Sequence, residues 1–203
     1  MKFALRVRKI PLCGMKYALH MKCAAAHGGN RGVNRMNPET FLALPREVRF
    51  AGARAESVTF EIVREGDVFR SRLENRSARD AVIREAVLFR GHIGPCGSTP
   101  FWGDGYNMLS QYGGTLADVR DIGAYSDRRH YRMPQTESFF TVYNTLALDD
   151  PGCPVLLMFT SCRWFRGELR FTPDGMIEAA VCTENAVLPA GGTMELEELF
   201  AGS

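Results

Sequence analysis

Beyond Lys22 the sequence has no lysine, and across residues 1–35 it has no Asp or Glu. These absences mark two compositions: residues 1–35 carry eight Lys and Arg, whereas residues 36–203 carry 17 Arg against 23 acids. A formal charge of +2 therefore hides +8 followed by −6. The acidic body lacks the basic footprint that nucleic acid demands, so no nucleic-acid partner is expected. No apolar run approaches the ~20 residues of a membrane-crossing helix, so a soluble chain with no membrane partner is expected. No C-x-x-C pair occurs among the six cysteines at positions 13, 23, 96, 153, 162 and 182, which excludes a disulfide framework. No secretory h-region forms either, because Arg6, Arg8, Lys9 and Lys16 interrupt the early apolar pieces. A reducing, cytoplasmic setting follows, with Cys153, Cys162 and Cys182 read as small core residues of strands. Cys13, Cys23 and His27 have no fourth ligand near them, so no metal is expected. The nucleophile elbow, the Walker loop, the dinucleotide fingerprint and H-E-x-x-H are all missing, and no cofactor is expected.

Residues 1–35 are read as a disordered extension or an upstream start-site artefact, with Met36 as the natural start. One β-sandwich domain is expected over residues 36–203, a length sufficient for one well-buried core. Its pattern has period two: in SVTFEIVR (57–64), Val58, Phe60 and Ile62 alternate with polar neighbours. A turn at Glu65-Gly66-Asp67 leads into VFRSRLENR (68–76) and then AVIREAVLF (81–89), an antiparallel meander. SFFTVYNTLAL (138–148), PVLLMFTSCRW (154–164), GELRFT (167–172) and MIEAAVCT (176–183) continue the series. A last strand follows LPAGG, with Met194, Leu196 and Leu199 inward. Helix is almost absent, with LADVRDI (116–122) or LEELF as the only short possibilities. The outward Arg and Glu of the strands read as a solvated face with cross-strand pairs.

Between Thr99 and Leu148 the chain crowds aromatics, amides and carboxylates among glycine turns. That mixture suits a sugar, whose C–H face stacks on aromatic rings while its hydroxyls exchange hydrogen bonds with Asp, Asn and Gln. Trp102, Asp104, Tyr106, Asn107 and Gln111 are the candidate carbohydrate-binding residues. The alternative is a long loop whose aromatics plug the core edge, and core plugging of Trp102 stays open beside exposure. Asp104, Asp118, Asp121 and Asp127 stand near His130 and Glu137, but acids at turns usually cap backbone N–H groups. A small mutarotase-like enzyme using His130 with Glu137 or Asp127 is one alternative, and His130 packed between strands is the plainer reading.

The segment GYNMLSQYGGTL (105–116) resembles the G-[aromatic]-Q-S-W-S stretch in the N-terminal β-domain of family 36 glycoside hydrolases, the α-galactosidases and their relatives. Gly105, Tyr106, Asn107 and Ser110 occupy matching positions, and Leu109 stands where the signature has tryptophan, a departure at the position implied to set galactoside specificity. DIGAYSDRRHY with the following FFTVYNTLAL, and the closing LPAGGTMELEELFAGS, are similar to further parts of that domain over residues 56–203. The resemblance implies an all-β, antiparallel β-supersandwich like that of galactose mutarotases. It also implies that both catalytic aspartates sit on a following (β/α)₈ barrel of about 250 residues. No catalytic residue is therefore carried over, and the chain is expected to be an isolated or truncated accessory domain, inactive alone. Its expected partners are a galactoside-like carbohydrate and a separate catalytic barrel or further copies of itself. A free-standing carbohydrate-binding module is the other alternative.

Overall fold

The computed structural model describes residues 39–52, 57–107, 109–131, 138–150 and 154–202. The expectations for residues 1–35, Cys153 and Glu137 lie outside these. A helical turn, α1 (Glu39–Leu42), precedes β1 (Glu47–Phe50), β2 (Val58–Glu65), β3 (Val68–Asn75) and β4 (Ala81–His92). Next come β5 (Pro100–Asp104), β6 (Gln111–Thr115), β7 (Asp118–Asp121) and the turn α2 (Asp127–His130). The remainder is β8 (Phe140–Tyr143), β9 (Thr145–Leu148), β10 (Val155–Phe159), β11 (Arg166–Phe171), β12 (Met176–Leu188), β13 (Thr193–Glu195) and β14 (Leu199–Gly202).

The strands make two antiparallel sheets packed face to face, an all-β sandwich. The first runs β1-β4-β12-β11-β8. In the second, β2 covers one edge of β3 and β13 then β14 cover the other, followed by β10-β9-β5-β6-β7. Alternation decides which side chains meet between the layers. Leu169 and Phe171 of β11 face inward at 0% exposure, and the Phe171 ring lies 4.8 Å from that of Phe101 on the opposite sheet. Leu73, Leu146, Leu157, Ile177 and Leu199 fill the same layer. Each such side chain contributes roughly 1.5–3 kcal/mol through its removal from water.

The β2–β3 hairpin keeps the expected turn, with Gly66 at φ 64° where a Cβ would be strained. Four expectations are corrected. The expected meander ends at β3, because β4 belongs to the first sheet and pairs with β1 and β12. The stretch 99–131 is not one long loop, because QYGGT and DVRD join β5 in a three-stranded meander, and 118–121 of the possible helix is β7. The run 138–148 is two strands. Asn144, at φ 60°, turns the chain from β8 in the first sheet to β9 in the second. Cys162 is no core residue, because β10 ends at Phe159 and leaves it exposed, while Cys182 is half-buried on β12.

The outer face of the first sheet is not merely a solvated charge pattern. Arg170 on β11 bonds to Glu178 and Glu85 at 2.6 Å each and to Glu168 at 2.6 Å. Arg49 on β1 reaches the other oxygens of Glu85 at 2.7 Å and Glu178 at 2.9 Å. Burial alone would lower the Arg170 pKa, but Glu168 and Glu85 hold it far above the usual arginine value. Two guanidinium forks thus tie β1, β4, β11 and β12 across one face.

Candidate functional site

Three departures from regular strand geometry meet at one end of this face. The first is the Asn144 corner, where Asn144 N–H donates to Gly167 O and Asn144 O accepts from Phe159 N–H at 2.8 Å. The second is a bulge in β12, where the register with β4 shifts between Cys182 and Ala186 and both Glu184 and Asn185 take positive φ. Thr183 Oγ1 pins it by donating to Ile83 O at 2.6 Å. The third is the loop 160–165 between β10 and β11.

That loop is built around one buried carboxylate. Glu197 is 1% exposed, and its Oε1 accepts the backbone N–H groups of Arg163, Trp164 and Phe165 at 3.0, 2.7 and 2.9 Å. The Ser161 hydroxyl donates to Oε2. Burial works to raise this carboxyl's pKa, yet Ser161 and the backbone donors hold it below the usual carboxylate range. The hub fixes the loop backbone, and at its crest the Trp164 side chain is 79% exposed, the most exposed large apolar residue described.

Beside this crest lies a cleft of about 440 Å³, lined by Tyr106, Tyr143, Asn144, Trp164, Arg166 and Glu184 among others. Tyr106 meets Tyr143 edge-on at 5.3 Å, and Arg166 sits 5.6 and 5.7 Å from their ring centres. Arg166 is also held by Glu168 at 2.9 Å and Glu184 at 3.4 Å. Burial pushes the Tyr143 phenol well above its ordinary pKa, so it stays protonated and able to donate at neutral pH. Asn144 Oδ1 is buried here without a hydrogen-bond partner among the described residues. On the other side of the crest is a recess of about 120 Å³, lined by Arg70, Ser71, Arg163, Trp164, Glu195 and Glu198 among others.

The five residues expected to bind carbohydrate fall into two groups. Tyr106, 49% exposed, lies in the cleft. Its turn is tied down by Asp127, which is 0% exposed and accepts the Tyr106 and Asn107 N–H groups. The Asn107 side chain is used locally, its Oδ1 accepting the Leu109 N–H at 3.1 Å. Trp102, 39% exposed, and Asp104 lie instead on the outer face of the second sheet, with Gln111 paired across from Asp104. Burial pushes the Asp104 carboxyl upward, against a hydrogen bond from Thr145.

His130 does not pack between strands. It is exposed on α2, stacked on Tyr125, with Nδ1 2.8 Å from Ser126 O. Asp127 serves as a turn anchor rather than as its acid–base partner. Trp164, Tyr143 and Arg166 were not singled out from the sequence. The available signal was the doubled acid in MELEEL, which breaks the alternation and places Glu197 inside.

Among the described residues no cluster of His, Cys, Asp or Glu fits a metal ion, and no helix is long and apolar enough to cross a membrane. The class that fold and cleft define is an antiparallel all-β sandwich with an aromatic-crested groove. No family model matches the chain, and no curated protein matches it.

Proposed function

We infer that this domain binds carbohydrate, and that the Trp164 cleft is where it does so. The observation that carries the reading is the exposed indole of Trp164 on a loop whose backbone a buried carboxylate holds in place. An aromatic plate kept in water beside Tyr106, with a phenol, an amide and a guanidinium in the adjoining cleft, has the stacking surface and donors that a pyranose uses. The site moves from the Trp102 group to Trp164, and the accessory role implied by the resemblance to glycoside hydrolase β-domains is kept. Calorimetric titration with galacto-, gluco-, manno- and xylo-oligosaccharides tests it. At least one should give heat, and Trp164→Ala should weaken binding about tenfold, equivalent to ~1.4 kcal/mol, while Trp102→Ala leaves it unchanged. No heat from any series at millimolar concentration rejects the reading.

A second role is favoured by the opposite face. Val68, Phe200, Met158, Leu156, Ala147 and Trp102 are neighbours in register on the outside of the second sheet, forming a half-buried to exposed apolar stripe. Such a stripe suits docking to a further domain, the catalytic barrel of the resemblance, or to another copy. Sedimentation should detect concentration-dependent association that Leu156→Glu abolishes. A monodisperse monomer at all concentrations counts against this role.

A further inference from the structure

We propose that the ligand is an oligosaccharide that crosses Trp164, with one portion in the 440 Å³ cleft and the next unit's hydroxyls in the 120 Å³ recess. This rests on the carbohydrate reading above and gives it a chain length. Trp164 and Arg163 line both concavities, so the two are halves of one surface divided by an aromatic crest. The cleft falls within the ~300–1,000 Å³ of ordinary ligand sites. The recess, at about 120 Å³, falls below that range. It is too small for a separate ligand and adequate for the edge of a ring that continues over the crest.

A residue lining each half carries a buried oxygen with no hydrogen-bond partner among the described residues, Asn144 Oδ1 on the cleft side and Ser71 Oγ on the recess side; a third such oxygen, Ser110 Oγ, belongs to neither. Ser71 is 3% exposed. Buried polar atoms are nearly always satisfied, so an orphan beside each half points to a ligand with hydroxyls at both ends. Three arginines line the two halves, and Arg163, which lines both, is exposed and forms no ion pair among the described residues. Arg166 is already paired with Glu168 and Glu184, and Arg70 with Glu65 and Glu198.

The test is titration with galactose and β-1,4-galacto-oligosaccharides of two to five units, followed by the gluco-, manno- and xylo-series. Affinity in the binding series should rise about tenfold from the monosaccharide to the trisaccharide and then level off. Glu195→Trp, an exposed position on the recess rim, should remove that gain and leave the monosaccharide unchanged. Ser71→Ala should lower only the longer ligands' affinity, several-fold. A monosaccharide bound as tightly as its oligomers, or a gain that survives Glu195→Trp, overturns the inference and leaves the binding reading standing. Absence of binding by every series overturns both.

Discussion

Replacing Glu197 with Gln tests whether one carboxylate organises the crest. In the native protein Oε1 takes three backbone N–H groups and Oε2 takes the Ser161 hydroxyl, which itself accepts the Glu198 N–H at 2.9 Å. Hydrogen bonds to a charged acceptor contribute about 1.5–3 kcal/mol each, and as a set they are not additive. Gln retains one acceptor oxygen and loses the charge, so a loss of about 2–3 kcal/mol is expected; Ala, which orphans every donor, should cost about 3–5 kcal/mol. The pH dependence identifies the charge as the cause. Because the folded pKa of Glu197 lies below its unfolded value, the group's contribution is full above that unfolded value of about 4.3 and is lost as pH falls through the folded pKa. Urea unfolding should show the full gap between wild type and Glu197→Gln at pH 7 and a closing gap below about pH 4. In a Trp102→Phe background, Trp164 emission should shift with Glu197→Gln before global unfolding. A stability change under about 0.5 kcal/mol with parallel pH profiles would refute the hub.

Arg170→Met should destabilise by about 3–5 kcal/mol in urea titration, because it strands three carboxylates on Arg49 and Arg166. The Glu85 pKa is pushed up by burial but is held low by Arg170 and Arg49, so in the variant the deficit should shrink as pH falls toward 4. Gly167→Ala would set a Cβ 2.1 Å from the Phe159 ring, and a loss of about 1–3 kcal/mol on thermal unfolding is expected. Glu184, at φ 53° and weakly paired at the surface, should accept Gly with little or no loss, whereas Glu184→Val should be about 1–2 kcal/mol less stable than Glu184→Gly in the same assay. Equal stabilities for those two variants would refute the strain at the bulge.

How far the sequence could be read follows from what alternation encodes. Val58, Phe60 and Ile62, or Leu169 and Phe171, sit in strands whose period two is uninterrupted, and there the strand and its inward face were both legible. QYGGT was not, since two glycines erase the pattern although pairing with Trp102 and Phe101 makes it a strand. VYNTLAL keeps the parity of Val142, Leu146 and Leu148 with only the polar Asn144 between them, and the left-handed backbone at that residue is where its halves part into different sheets. The site was least legible. The turn that presents Tyr106 is local and glycine-marked, whereas the placement of Trp164 depends on Glu197, more than thirty residues away in sequence.

The cleft gathers what regular strands avoid. All three described non-glycine residues with positive φ, Asn144, Glu184 and Asn185, line the cleft or adjoin it. Asn tolerates that region through its short polar side chain, but Glu does not, and strain of this kind costs about 1–3 kcal/mol and persists only where surrounding contacts enforce it. Here they do: Thr183 pins the bulge to β4, Gly167 and Phe159 bracket Asn144, and Glu197 gathers the loop between them. A sandwich needing only to close its core has no use for an exposed indole held over such a corner. The positive-φ residues and the presented rings gather at this one corner of the sandwich, whereas the buried oxygens without a partner among the described residues are divided between Asn144, Ser71 on β3 of the second sheet, and Ser110.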